Sequence, residues 1–512
     1  MNGLTRTNLT TGVGVAVLMM SLGGSAQNAP SDELKALRER VEELEAKVKQ
    51  LEKQQNSPPQ TNNPVVERRL EALDEKVQVL QQDQQRTAQS TEGKLKALPT
   101  ISLGSDGFAF RSADTNFGVA LKGVLQVDSR TFFNDGGIVG NDTIGIRRAR
   151  PILQGTVFRD FDFLFVPDFA PATPQIFDAF INYRFAPWLQ LQAGKFKVPV
   201  GLEELQPDAY TWFNERALPT QLSPNRDVGF ELHGDVFANR LSYAVGIFNG
   251  VGDNRNSSNV DFEDDKEFAG RIFFQPFRQS ETLFLQGLGF GVAGSYGSMQ
   301  QTNVTGLPAT IGGTLPGYAT DGQEQFFAYN PVSTTTNRAS VVADGEHWRL
   351  SPQGYYFYGP VGVMGEYVIS NQRVSRAGSS PATARLENAG WQVSGSWVLT
   401  GEDAGYAGAV IPRHAFNPLE GGWGAWQLAA RYAELDIDRT AFPLFSDPST
   451  SAHSADTWSV GLNWYLNRNV MMKTSFSHTA FHGGGASSST TPPGIVTRKD
   501  ENVLFTRMQL AF

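Results

Sequence analysis

The chain contains no cysteine, which removes disulfide frameworks and thiolate metal centres and suits a protein that crosses an oxidising compartment. It also has no run near the roughly 20 consecutive apolar residues that a membrane helix needs; its most apolar stretch, Val13 to Leu22, lies at the N-terminus. Basic residues are too few for a nucleic-acid surface: 43 Lys and Arg stand against 52 Asp and Glu, a net charge of −9, whereas a polyanion needs a concentrated basic face. Histidine is scarce as well. His233, His347, His414, His453, His478 and His482 stand in no nucleophile-elbow or zinc-binding context. His478 and His482 would chelate from a helix, but four residues of strand span roughly 13 Å, too far for one metal. Asp261, Glu263, Asp264 and Asp265 lack the glycine and spacing of a calcium loop and read as solvated. The expectation is neither an enzyme nor a metalloprotein, with no cofactor.

What is present begins with a leader. Arg6 precedes the apolar run, and Gly23, Gly24, Ser25 and Ala26 follow it, which reads as a secretion signal over residues 1–26. Two heptad seams come next, Leu34, Leu37, Val41, Leu44, Val48, Leu51 and then Val66, Leu70, Leu73, Val77, Leu80, separated by Pro58, Pro59 and Pro64. That spacing predicts an α-helical coiled-coil stalk over 27–92, in the periplasm, with a hinge near 58–64. Residues 93–116 are expected to link it to the rest.

From about Phe117 the apolar period changes to two and stays there. Trp458, Val460, Leu462, Trp464 and Leu466 alternate with Ser459, Gly461 and Asn463; Trp391, Val393, Gly395 and Trp397 alternate with Gln392, Ser394 and Ser396. Phe177, Ala179, Ile181, Tyr183 and Phe185 are placed opposite Asp178, Asn182 and Arg184. In a soluble sandwich the outward face would be rich in Lys, Glu and Thr. Here the non-apolar face is mostly small and amide residues, and aromatics mark the strand ends, as in a barrel that separates lipid from a wet lumen. Short connections such as Ala186-Pro187 alternate with long ones. The pattern predicts an all-β transmembrane barrel over 117–512 with about 16 antiparallel strands, wide enough for a water channel. Its setting would be the outer membrane of a Gram-negative-type cell, in contact with lipid. The closing strand, Val503 to Phe512, puts Leu504, Thr506, Met508, Leu510 and Phe512 on one face and Arg507 and Gln509 on the other; a final Phe of this kind resembles the signal read by the barrel-insertion machinery.

Several stretches resemble the phosphate-selective porin O and P family. They include Arg147-Arg148-Ala149-Arg150, Gly155-Thr156-Val157-Phe158-Arg159-Asp160, Asp178-Ala179-Phe180, Gly194-Lys195-Phe196-Lys197-Val198-Pro199 and Gly201-Leu202-Glu203. Further along come Gly246-Ile247-Phe248-Asn249-Gly250, Leu399-Thr400-Gly401-Glu402, Arg431-Tyr432 and Gly461-Leu462-Asn463-Trp464-Tyr465. The resemblance implies a homotrimer of 16-stranded barrels, each narrowed by a loop folded into its lumen. A preference for two-stranded coils, from Val at a and Leu at d, is in tension with a trimer.

The resemblance also implies a constriction at Arg147, Arg148 and Asp178. Parity puts Asp178, Arg148 and Arg150 on the lumen face, whereas Arg147 has the opposite parity and needs a bulge or a rim position. The segment from Lys195 to Arg226 is the candidate constriction loop, with Lys195, Lys197, Arg216 and Arg226 against Glu203, Glu204, Asp208, Glu215 and Asp227. Where the phosphate-selective members carry lysines after Gly-Leu-Glu, this chain has Glu204, Asp208 and Ala209. Parity adds Arg184, Arg271, Arg349, Arg431, Lys473 and Arg507 to the lumen, facing Glu231, Asp235, Glu267 and Glu366. The expected ion path is therefore Arg147, Arg148, Arg150, Asp178, Arg184, Lys195, Lys197, Arg271, Arg431 and Arg507. A passive diffusion channel of weak anion preference, without a phosphate site, follows. The rival reading is a structural anchor whose coiled coil tethers the barrel to a cell-wall or periplasmic partner.

Overall fold

Alternation of period two builds antiparallel strands from Gly118–Phe132 through to Glu501–Ala511 in the computed structural model, and the last pairs with the first. That pairing runs from Val503 opposite Phe132 to Ala511 opposite Val124, so no edge is left open. Among the described residues the sheet has 19 strands, of which Thr100–Gly104, Gly107–Arg111 and Ile495–Thr497 are appended at its margins, leaving a closed barrel of 16. The structure describes residues 64–96, 98–133, 140–258, 264–300, 315–331, 341–376, 381–487 and 494–512, with isolated positions at 43, 46, 47, 49, 50 and 261. The leader, the first heptad seam and residues 58–63 of the hinge lie outside them. Residues 1–93 and 94–512 are separate compact units. In the first, Pro64–Lys96 is one helix carrying the second seam, along which Leu73, Val77 and Leu80 are half-buried. Proline suits its first position, where the missing N–H has no helical partner to lose.

The expected linker contains two strands. Thr100–Gly104 and Gly107–Arg111 form a hairpin whose second strand pairs with the start of Gly118–Phe132, Phe108 opposite Leu121. Gly107 has φ +91°, and a Cβ there would sit 2.3 Å from the Leu121 carbonyl oxygen, so only glycine fits the turn.

Burial along the strands is inverted relative to a soluble protein. Gln392, Ser394, Ser459, Asn463 and Gln509 are buried, while Val393, Trp397, Trp458, Val460 and Met508 are exposed. Apolar outside and polar inside is the arrangement that lipid demands. Trp391 packs on Tyr432, and Trp426 stacks on Trp464 at 5.0 Å, marking the two ends of the apolar band. Val460 lies between these levels. Val460→Arg is expected to cost about 2–4 kcal/mol, the price of a midplane cation on a barrel's lipid face, read as a lower denaturant midpoint for unfolding from lipid vesicles.

The lumen is furnished by loops. Residues 198–225 and 315–331 enter from the long-loop end, and the connection after Ala382–Val398 enters from the short-turn end, where Tyr406 stacks on Tyr355 at 5.1 Å. An apolar cluster of Leu218, Leu222, Phe326, Phe327, Phe445 and inward-facing Val368, Leu386 and Phe481 packs the first two of these loops, and the connection that carries Phe445, against one side of the wall.

Candidate functional site

Residues 198–225 hang from the wall by hydrogen bonds to their own backbone. The Gln353 amide donates to the Val200 carbonyl (2.7 Å), Asn463 to that of Trp212 (2.9 Å), Gln509 to that of Ala209 (3.0 Å) and Gln126 to that of Asp208 (3.3 Å). Lys473 donates to the Thr211 carbonyl. Glu366 accepts from the backbone N–H groups of Leu202 (2.7 Å) and Glu203 (3.1 Å). A loop inside a barrel has no ladder for its backbone groups, so wall side chains must satisfy them. That need accounts for the amides on the lumen face. The segment from Lys195 to Arg226 therefore does fold into the lumen, with Lys195, Lys197 and Arg226 on the strands that flank it.

Two bulges shape the wall opposite this loop. Gln126 pairs with Arg148 and the next residue, Val127, with Ile146, so Arg147 is skipped. Val166 pairs with Asp178 and Pro167 with Ile176, so Phe177 is skipped. A bulge turns its extra residue out of the alternation, and both residues face the lumen. Arg147 thus enters as its parity required. Phe177 corrects the expectation that it shares a lipid face with Ala179 and Ile181: its ring lies between the guanidiniums of Arg150 (3.8 Å) and Arg226 (4.1 Å), which hold it by cation–π attraction.

Each of Arg147, Arg148, Arg150, Arg216, Arg226, Arg431 and Arg507 meets a carboxylate. Arg147 grips Glu215 with two hydrogen bonds of 2.7 and 3.0 Å. Arg507 grips Asp128 with two of 2.6 Å and reaches Glu215 at 3.3 Å. Asp208, on the loop, is the hub: Arg216 (2.6 Å), Arg148 (3.5 Å), Arg226 (3.7 Å) and Arg150 all converge on it. Arg150 also binds Asp168 (2.7 Å), and Arg226 binds Asp178 (3.2 Å). Burial alone would raise the Asp208 carboxyl, but the guanidiniums of Arg216, Arg148 and Arg150 outweigh it and hold the group well below the ordinary carboxylate range. Glu215 is lowered in the same way, burial being overcome chiefly by Arg147. Both stay ionised through the neutral and mildly acidic range.

Two cavities approach this row. One of about 790 Å³ lies toward the short-turn end and is lined by Lys122, Arg150, Asp178, Asp208, Arg226 and Glu231, among others. The other, about 320 Å³, is lined by Asp128, Arg130, Arg147 and Gln323, among others. Arg147, Arg148 and Arg150 stand between them.

Residues 119–512 match the family described as phosphate-selective porin O and P. The chain belongs to that family. It is an outer-membrane channel, a porin. No curated protein matches the chain. Among solved structures, OmpT, an outer membrane protein of Vibrio cholerae, is 10% identical, with 78% of this chain and 98% of that one covered and a TM-score of 0.47. The anion-selective porin from Comamonas acidovorans is 9% identical over 77% of this chain and 100% of its own, at 0.46. The outer membrane channel DcaP of Acinetobacter baumannii is 10% identical over 79% and 99%, also at 0.46. At such identity the porin's architecture rests on its own strand register.

Not every lumen cation of the porin reaches this arginine row. Arg431 does, through the Glu215 carbonyl (3.1 Å) and Glu203 (3.4 Å). Lys197 donates to the carbonyls of Glu204 (2.5 Å) and Gln206 (2.7 Å). Lys195 donates to the Ser257 carbonyl (2.6 Å). Arg184 sits near the short turn at Ala186 and pairs with Asp162 (2.9 Å), and Arg271 binds Gln353 (2.9 Å) over the Phe273 ring (4.4 Å). Both are on the lumen face but outside the arginine row. Sequence reasoning missed Asp128 and Asp168 as partners, although each has the inward parity of its strand.

Proposed function

We propose that the porin is a passive diffusion channel for small hydrophilic solutes and ions with weak charge preference and no dedicated phosphate site. The observation that carries this reading is the pairing of each constriction guanidinium with a carboxylate. A phosphate sheds its water only where several unneutralised donors replace it. The inserted loop brings Glu203, Glu204, Asp208 and Glu215 against Arg216, which offsets the excess of positive residues on the wall. Arg147, Arg148, Arg150, Asp178 and Arg507 are the proposed ion path, with Arg431 and Lys197 supporting it from the side.

The proposed assembly is a homotrimer exported with residues 1–26 as leader, with 27–92 as a periplasmic coiled-coil stalk and 93–116 joining the two. The stalk can act as a tether without altering conduction. Phe512 packs against Gly123, whose lack of a side chain leaves the ring its place, and serves as the contact for the insertion machinery.

Single-channel recording in planar bilayers tests the channel reading. Stepwise potassium chloride currents that persist when phosphate is added at micromolar concentration are expected. Block by phosphate at that level would overturn it.

A further inference from the structure

One carboxylate of the porin's own chain occupies a set of donors suited to an anion. The segment 315–331 dips into the lumen, and Asp321 Oδ2 accepts from Arg431 Nη2 (2.7 Å), Ser477 Oγ (2.8 Å) and Ser459 Oγ (3.1 Å). Asp321, Arg431, Ser459 and Ser477 are all buried, at 3%, 4%, 1% and 2% exposure, and Asp321 Oδ1 has no hydrogen-bond partner among the described residues.

The donors do not depend on Asp321 for their position. Ser459 and Ser477 face each other across neighbouring strands, their hydroxyls 2.8 Å apart. Arg431 lies over the Phe213 ring (4.3 Å) and donates to the Glu215 carbonyl. The wall and the constriction loop therefore preset the cradle, while its occupant arrives on a different loop. That loop has further holds on both sides of Asp321: Tyr318 donates to Asp253 (3.0 Å) and Thr320 to Glu501 (3.0 Å), while Arg130 donates to the Gly322 carbonyl (2.8 Å) and Arg498 to that of Gln325 (3.0 Å).

We propose that Arg431, Ser459 and Ser477 form a binding site for a small carboxylate solute, with Asp321 as a tethered occupant that such a solute displaces. The inference rests on the channel reading above. A guanidinium and two hydroxyls give a carboxylate charge-assisted hydrogen bonds, and the site adjoins the constriction through Arg431. A tethered group competes at an effective concentration in the millimolar range or above. The apparent affinity for a free acid is then reduced by the fraction of time the cradle stands vacant.

The test is single-channel recording of the full chain with succinate titrated into potassium chloride, reading the midpoint for current interruption. Asp321→Asn is expected to lower that midpoint about tenfold, because no internal carboxylate remains to be displaced. Asp321→Glu, which keeps the charge but lengthens the arm, is expected to fall between Asp321→Asn and the wild type. Adding Arg431→Gln to Asp321→Asn is expected to abolish the response. An unchanged midpoint in either Asp321 variant, or a response that survives Arg431→Gln, overturns the proposal. Absence of any chloride current in the wild type would instead overturn the channel reading.

Discussion

Asp208→Asn is expected to turn the porin strongly toward anions. Asp208 is the one carboxylate shared by Arg148, Arg150, Arg216 and Arg226, so its neutralisation leaves four guanidiniums with less opposing charge than they have now. A unit charge at 4 Å is worth about 4 kcal/mol at an effective dielectric of 20, and rearrangement and salt leave only part of that. A remaining 1.4 kcal/mol is about tenfold in the chloride-to-potassium permeability ratio. The asparagine keeps the shape of the loop and the backbone carbonyl to which Gln126 donates, so the variant should insert as the wild type does. The lowered pKa of Asp208 bears on the same point with a definite sign. A carboxyl held below its unfolded value contributes stability that is fully present above the ordinary carboxylate range and is lost as the pH falls through the depressed value. The substitution, not mild acid, is therefore the way to remove this charge.

The second large effect is on pore size. Glu366 holds the start of the constriction loop by accepting from the Leu202 and Glu203 N–H groups, and it accepts from Gln392 as well (3.0 Å). A buried donor left without its partner costs about 1–3 kcal/mol, and Glu366→Ala removes the partner of all three. The loop end then keeps Gln353 at Val200, Gln392 (2.9 Å) and Arg431 (3.4 Å) at Glu203, and Tyr406 at the Leu202 carbonyl. The expected result is a rise of about twofold in unit conductance with noisier open-channel current, as the loop samples positions away from the wall. A conductance equal to wild type would mean that the loop is fixed from its far side, where Lys473, Asn463 and Gln509 hold it.

The barrel was legible in the sequence because lipid imposes a rule of parity. Trp458, Val460 and Leu462 against Ser459, Gly461 and Asn463 require a strand with one face in lipid, whatever its neighbours are. Parity also placed Arg148, Arg150 and Asp178 correctly, and it marked Arg147 as the residue that needed a bulge. It failed at Phe177, since an inserted residue shifts the count and nothing in Gln175 to Asp178 announces the insertion. It also gives the face of a strand and not the height. Arg184 and Arg271 point inward as expected yet lie apart from the arginine row, near a short turn and over Phe273 respectively. The loops were the least legible part. Asp208 read as a departure from the lysines of the family, and its role as hub depends on partners on distant strands, such as Arg150, 58 positions away in sequence. Asp321 and Tyr406 lie on connections whose composition gives no sign that they fold into the lumen.

The measurement that bears most directly on the paired constriction is the reversal potential of the wild-type channel across a potassium chloride gradient. Neutralised guanidiniums predict a chloride-to-potassium permeability ratio within about threefold of unity, a discrimination of about 0.7 kcal/mol. A reversal potential near the chloride equilibrium value would show that the arginine row conducts as unpaired charge, and would contradict the account.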